Sequence, residues 1–199
     1  MRRVTALAAA AALMLSTGIL LAGCATDPLA EQYRAGSNKN YIAGDGSVME
    51  IPQANRGEAI VYTGIAQDGS TVSSSDYAGQ VQVVNFWYAG CAPCRAEADE
   101  LEQVAQASAN EGVSFVGVNV RDQALTAETF MQKFGISYPS IIDQNGQVQL
   151  AFSSNVPPNA VPTTLVLDRQ GRVAARVLGQ ITEASILQSL IDTVAKEKS

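Results

Sequence analysis

The sequence predicts an α/β domain, a mixed central β-sheet flanked by helices. Three observations carry that prediction. Val81–Trp87 and Val113–Val120 are nearly continuous apolar runs, the pattern of strands buried on both faces. Between them, from Cys94 onward, Ala98, Leu101, Val104 and Ala105 recur at helical spacing, with Arg95, Glu97, Asp99, Glu100 and Glu102 in the gaps. Strand, helix and strand then form a β-α-β unit with a right-handed crossover. Farther on, Thr163–Leu167 and Arg172–Leu178 flank the turn Asp168-Arg169-Gln170-Gly171 and add an antiparallel hairpin.

The remaining elements follow in chain order. Ala59–Ala66 alternates as a strand, Asp68-Gly69 makes a hairpin-type turn, and Thr71-Val72 restarts extended chain. Ser75-Asp76 with Gly79 forms a loop. Pro93 fits the first turn of the following helix, where its missing N–H costs nothing. Thr126–Phe134 reads as a helix stopped by Gly135, and Ser140–Ile142 as a short strand. Thr182 is the expected cap of a last helix whose apolar face carries Ile186, Leu187, Leu190, Ile191 and Val194. There is no internal repeat.

Composition narrows the function. The chain has 199 residues, 47% of them apolar, enough for one domain with a substantial core. Lys and Arg number 13 against 19 Asp and Glu, with no basic stripe, so no nucleic-acid partner is expected. The complete lack of histidine removes Cys-His and Ser-His catalysis together with the commonest metal ligand.

The first residues read as targeting. Arg2 and Arg3 form a positive region, Val4–Leu21 an apolar one, and Ala22 and Gly23 are small, so residues 1–23 are expected to be a signal peptide. Leu21-Ala22-Gly23-Cys24 resembles the lipobox of bacterial lipoproteins, in which cleavage precedes the cysteine and lipid joins its sulfur. An uncleaved anchor is disfavoured by the short apolar region. The expected location is the extracytoplasmic face of the cytoplasmic membrane, with the chain held there by lipid on Cys24. Without Arg2 and Arg3 the side-chain balance is 11 minus 19, or −8. Residues 24–50 are expected to be a lipidated N-terminus and flexible tether, within a polar stretch that runs to about Gly57 and whose Val48–Ile51 can pack on the edge of the fold. Residues 51–199 form the domain.

With Cys24 committed to lipid, Cys91 and Cys94 are the sulfurs to explain. As a structural bridge they close almost no loop and gain little chain entropy. A zinc site needs about four ligands, and one C-x-x-C supplies two with no histidine to complete it; a copper carrier meets the same lack. A redox pair fits the position. The cysteines fall where the central strand ends and its helix begins, the carboxyl edge at which open α/β folds place their chemistry. Free N–H groups and the helix dipole there favour a thiolate, which makes Cys91 the nucleophile, while Cys94, one turn in and shielded, resolves the mixed disulfide. No cofactor and no metal are expected.

Several motifs then occur in one order: Asn85-Phe86-Trp87, C-x-P-C-R-x-E from Cys91 to Glu97, the segment Phe115–Val120, F-x-x-x-F-G-I-x-Y-P from Phe130 to Pro139, and Val161-Pro162-Thr163-Thr164 running into Asp168 and Gly171. Over about residues 46–197 the chain resembles the TlpA and ResA branch of the thioredoxin-like proteins. The resemblance implies a thioredoxin-like fold with an extra helix and strand, here between Leu125 and Asp143, separating the C-x-x-C helix from a cis-proline. It implies that Cys91 and Cys94 form the redox disulfide and that Pro162 is the cis-proline beside it. Val161, Pro162, Ala92 and Pro93 would then meet an extended substrate segment. It also makes Glu97 the acid that exchanges the proton of Cys94, since three helical positions return it to nearly the same face. In ordinary thioredoxin the buried acid immediately precedes Phe-Trp. Here that position is Asn85, which exchanges no proton. Gly90 departs from the pattern by replacing the Trp that precedes the first Cys.

The implied activity is that of a membrane-tethered thiol-disulfide oxidoreductase acting on protein disulfides, among them the haem-attachment cysteines of apocytochrome c during cytochrome c maturation. Its electrons would come from a membrane donor of the CcdA/DsbD type. Two other readings stay open. One is a redoxin-type thiol peroxidase, whose usual P-x-x-x-T-x-x-C pattern has Val84 where its proline would fall. The other is a non-catalytic scaffold lipoprotein.

Overall fold

The computed structural model describes residues 47–157 and 159–197. The expected leader, Cys24 and the tether as far as residue 46 lie outside the described residues. A six-stranded sheet forms the centre, in the order β1 (Val48–Glu50), β8 (Val173–Leu178), β7 (Thr163–Leu167), β4 (Val81–Trp87), β5 (Val113–Asn119), β6 (Ser140–Ile142). β4 pairs in parallel with β5, and β5 with β6, while β4–β7, β7–β8 and β8–β1 are antiparallel. All seven residues of β4 are buried, the consequence of a middle strand with helices or loops over both faces.

The two faces are covered differently. Val81 and Val83 of β4 point to α2 (Ala98–Ser108) and α5 (Ala184–Ala195), packing against Leu101, Val104, Leu187 and Ile191. Val84 and Phe86 point the other way, toward the hairpin of β2 (Thr63–Ile65) and β3 (Thr71–Ser73) and toward the short α4 (Gln147–Ala151), where Phe152 meets Phe86 edge-on at 5.3 Å. Full burial of each such side chain stabilises the fold by about 1.5–3 kcal/mol. The crossovers β4–β5 and β5–β6 advance in one direction, so α3 (Ala124–Phe134) lies on the same face as α2, with Phe130 on Trp87 at 4.5 Å between centroids. Gly135, at φ 65°, ends α3 in the left-handed conformation expected of a helix-stopping glycine.

Four elements differ from expectation. The strand expected over Ala59–Ala66 shrinks to Thr63–Ile65, because residues 59–61 instead lie along the β7–β8 turn, where Ile60 N–H donates to Gly171 O at 2.9 Å and Val61 stays 79% exposed. Thr182 does not cap the last helix; α5 starts at Ala184 after an extended Glu183 that makes no side-chain cap. α4 had no sequence signal at its own N-terminus. Its first N–H groups are met by the Asp143 carboxylate, bonded to Val148 N at 3.0 Å and Gln149 N at 2.7 Å. Finally, the helix expected from Cys94 onward is two helices, α1 (Ala92–Ala96) and α2, divided at Glu97. At the sheet's other margin β1 lies within the last three residues of the stretch read as tether, paired to β8 from Val48↔Val177 to Glu50↔Ala175.

An ion cluster fastens the end of the fold opposite the cysteines. The Arg56 side chain, 3% exposed, contacts Asp168 Oδ2 at 2.9 Å and Glu197 Oε1 at 2.5 Å, and Arg172 contacts Asp168 at 2.8 Å. Burial alone would raise the Asp168 pKa. The N–H of Arg172 and the guanidiniums of Arg56 and Arg172 outweigh it and hold the carboxyl below the usual range.

Candidate active site: the Cys91–Cys94 pair

From the end of β4 the chain passes through Tyr88-Ala89-Gly90, fixed by Ala89 N–H donating to Asp122 Oδ2 at 2.6 Å. A turn bond from Cys91 N to Tyr88 O (3.1 Å) then sets Cys91 as the N-cap of α1. Its φ of −75° and ψ of 114° are extended, as an N-cap requires, and Pro93 occupies the first turn. Cys91 and Cys94 are joined in a disulfide. The backbone N–H of Cys94 points at Cys91 Sγ at 3.2 Å. α1 is only one turn long before the bend, so this single N–H does more to hold negative charge on the Cys91 sulfur than an extended dipole could.

The two cysteines were expected to differ in shielding. Both are 3% exposed. What separates them is direction: Cys91 Sγ lies 4.0 Å from the carbonyl oxygen of Val161, whereas Cys94 lines an interior cavity with Asn85, Trp87, Phe130 and Tyr138. That cavity measures about 10 Å³, the room one water molecule needs.

Glu97 sits where α1 and α2 meet. Its φ of −98° and ψ of −4° bend the chain while the ladder continues, Glu97 N to Pro93 O and Leu101 N to Glu97 O. The side chain turns inward and is 0% exposed. Oε1 accepts from Asn85 Nδ2 at 2.9 Å and Oε2 from the N–H of Ile181 at 2.8 Å. Burial pushes its pKa up to about 7, against the Ile181 and Asn85 donors that pull it down and with a smaller push from Glu100. Among the described residues no cation pairs with it in compensation. A carboxyl poised near neutrality is suited to exchanging protons.

Pro162 is buried and its bond to Val161 is cis. Its loop is closely tied: Gly179 N–H donates to Pro162 O at 2.9 Å, and Thr163 Oγ1 to Ala160 O at 2.6 Å. Of the Val161 backbone, expected to meet a substrate segment, the N–H donates to Asn159 O at 3.0 Å. Ala92 and Pro93 are exposed on the rim. A Cβ at Gly90 would meet Tyr88 Cε2 at an ordinary contact distance of 3.5 Å, so neither space nor backbone conformation demands glycine there, and Arg121 stacks on the Tyr88 ring at 4.0 Å. Trp87 is core, its indole N–H donating to Ser140 Oγ at 2.8 Å across Gly117, where any Cβ would come within 2.9 Å of the indole nitrogen.

The structure therefore brings Cys91, Cys94, Pro162 and Val161 together, while Glu97 reaches them through Asn85, which it bonds and which lines the same cavity as Cys94. Sequence reasoning missed Asn85 and Ile181 as partners of Glu97. Asn85 was legible as a departure from thioredoxin, though nothing marked Ile181, which lies 84 residues from Glu97. Among the described residues no group of three or more Cys, Asp and Glu is placed to hold a metal ion.

Comparison with known proteins fits this geometry. The redoxin family profile matches residues 49–191. The thiol-disulfide oxidoreductase ResA of Geobacillus kaustophilus is 34% identical over 116 residues, 58% of this chain and 64% of that protein. The thiol:disulfide interchange protein HelX of Rhodobacter capsulatus is 32% identical over 112 residues, 56% of this chain and 60% of that one. The chain thus spans less than two thirds of the length of these relatives. Among solved structures, a DsbF homologue from Corynebacterium diphtheriae is 34% identical, with a TM-score of 0.67 over 77% of this chain and 96% of the other. A thioredoxin family protein from Chlorobium tepidum, 27% identical with a TM-score of 0.66 over 72% and 99%, shares the thioredoxin-like fold. The profile match, extending from β1 into α5 and enclosing the dithiol, Glu97 and the Pro162 loop, places the chain in the redoxin family.

Proposed function

We propose that the protein is a thiol-disulfide oxidoreductase that cycles Cys91 and Cys94 between dithiol and disulfide. The observation that carries this reading is the Cys91 sulfur, bonded to Cys94 and facing its N–H at 3.2 Å at the head of α1. In the dithiol form the Cys91 thiolate attacks a substrate disulfide, forming a mixed disulfide and releasing one substrate thiolate. Cys94 then gives its proton to the Glu97 carboxylate, whose partner Asn85 lines the cavity beside Cys94, and its sulfur attacks Cys91 Sγ. The second substrate thiolate departs and the Cys91–Cys94 disulfide is formed. Two electrons have moved from protein to substrate, and a membrane dithiol donor of the CcdA/DsbD type restores the pair.

The finer reading is that lipid on Cys24 holds the domain on the extracytoplasmic face of the membrane and that its substrates are protein disulfides, including apocytochrome c cysteines. Support comes from the leader-like residues 1–23, the Leu21–Cys24 motif and the resemblance to membrane-attached relatives.

Replacing Cys94 with Ser tests the exchange. The variant is expected to accumulate disulfide-linked adducts with exported proteins, reversed by dithiothreitol and abolished in a Cys91→Ser, Cys94→Ser double variant. Were no adduct to form, exchange through Cys91 would be wrong. Labelling the cells with palmitate tests the anchor, which requires a Cys24-dependent signal.

A further inference from the structure

A groove of about 270 Å³ opens beside the dithiol, lined by Ala89, Arg95, Thr126, Thr129, Phe130 and Lys133. It adjoins the reacting sulfurs through the chain itself. Ala89 precedes Cys91 by two residues, and Arg95 donates its N–H to Cys91 O (3.1 Å) and its Nη1 to Ala89 O (3.3 Å). The groove carries two cations, Arg95 and Lys133, held over the ring of Phe134 at 5.5 and 5.6 Å. Among the described residues neither forms an ion pair, although the chain as a whole has a net charge of −6. The acids nearby are otherwise engaged: Asp122 accepts from Ala89 N and Asn119 Nδ2, and Glu128 from Gln132. The Thr126 hydroxyl, a donor, has no partner among the described residues.

We propose that this groove receives the carboxylate of an Asp or Glu that neighbours the attacked cysteine in a polypeptide substrate, so that Arg95, Lys133 and the Thr126 hydroxyl set a preference for acidic sequence around the disulfide. The inference rests on the redox reading above and adds the substrate class. Charge complementarity carries it: two unpaired cations in an acidic protein, concave and within one helical turn of the nucleophile, fit an anion. Leu125, 74% exposed and next to Thr126, offers apolar surface at the rim to the residues on either side of that acid.

The test measures the rate at which the dithiol form, prepared with dithiothreitol and desalted, reduces three disulfide-bonded peptides that differ only in carrying Glu, Gln or Lys two residues from a cysteine. The Glu peptide should react about fivefold faster than the Lys peptide at low ionic strength, and the gap should close in 0.5 M salt. In Lys133→Glu, an exposed position on α3, the order should reverse. The readout is a ratio within one protein, so a change in the exchange chemistry cancels. Equal rates for the three peptides, or an unchanged order in Lys133→Glu, would overturn the groove while leaving the redox function standing. If no peptide were reduced, both readings would fall together. Faster reduction of glutathione disulfide than of the Glu peptide would assign the groove to a small acidic disulfide and overturn the polypeptide assignment.

Discussion

Glu97 and Asp168 lie at opposite ends of the central strand pair and are almost equally withdrawn from water, at 0% and 3% exposure. Their chemistry is opposite. Asp168 meets two guanidiniums and remains an anion below its usual range. Glu97 meets only neutral donors, the Asn85 amide and the Ile181 N–H, and its pKa rises to about 7. Burial does not by itself decide what a carboxyl does; the charge of its partners does. The first carboxylate is a fixed fastening between distant parts of the chain. The second can hold or release a proton at the pH where thiols begin to ionise, and its partner Asn85 lines the cavity beside Cys94.

The largest expected effect breaks the fastened member. Asp168→Asn leaves the Arg56 and Arg172 guanidiniums without that carboxylate, and should cost about 3–5 kcal/mol, read as a fall in the urea midpoint. Disulfide exchange by the folded fraction should be unchanged, because nothing in that cluster touches Cys91 or Cys94. A loss under 1 kcal/mol would mean that Glu197 alone satisfies Arg56.

Next in size is the pH dependence of stability, for which the two carboxyls have opposite signs. Glu97 has a folded pKa near 7 against 4.5 for the free group, so its contribution is complete below 4.5 and is lost as pH rises through 7. About 2.5 units corresponds to ~3 kcal/mol. Asp168 is depressed, so its contribution is present above its free value of 3.8 and disappears as pH falls through the lower folded value. Between pH 5 and 8 the oxidised protein should therefore lose stability as pH rises, and Glu97→Gln should flatten that slope. A slope that survived the substitution would place the titrating group elsewhere.

This contrast was only half visible in the sequence. Glu97 was picked out by the family resemblance, as the acid three residues after Cys94, and the strands around it announced themselves because a doubly buried strand must be apolar throughout, as in Val81–Trp87. The bend at Glu97 was hidden because the apolar period of Ala98, Leu101 and Val104 continues across it with the hydrogen bonds intact. α4 was hidden because its cap, Asp143, lies four residues before its first residue, outside the local pattern that marks helix starts. The Asp168 cluster joins residues 112 and 141 positions apart, a distance that carries no periodicity to read. Local order is legible from local sequence, and partners brought together by the fold are not.

A smaller effect falls on the chemistry. Glu97→Gln removes the proton acceptor and sets an amide against two donors, so resolution of a mixed disulfide by Cys94 should slow by about a hundredfold. Alkylation of Cys91 in the reduced protein should keep its rate, since the Cys94 N–H facing that sulfur is untouched. Equal slowing of both would point to a disturbed α1 and take the proton role away from Glu97.

The smallest change moves Glu97 one step farther from Asp168 in character. Asn85→Ala removes the donor at 2.9 Å from Oε1 while leaving the Ile181 N–H in place. That amide stabilises the charged form, so its loss should raise the Glu97 pKa further. A bond of this kind is worth about 1.5 kcal/mol, or roughly one pH unit. A carboxylate accepts a proton only above its own pKa, so the rise of the resolving rate with pH should shift upward by that amount, slower than wild type at pH 7 and equal to it at pH 9. Thr164, the other acceptor of the Asn85 amide, provides the control: Thr164→Val keeps the bond to Glu97 and should leave the midpoint in place. If Asn85→Ala left it in place as well, the amide would not be acting on the charged carboxylate, and the contrast with Asp168 would rest on the missing cation alone.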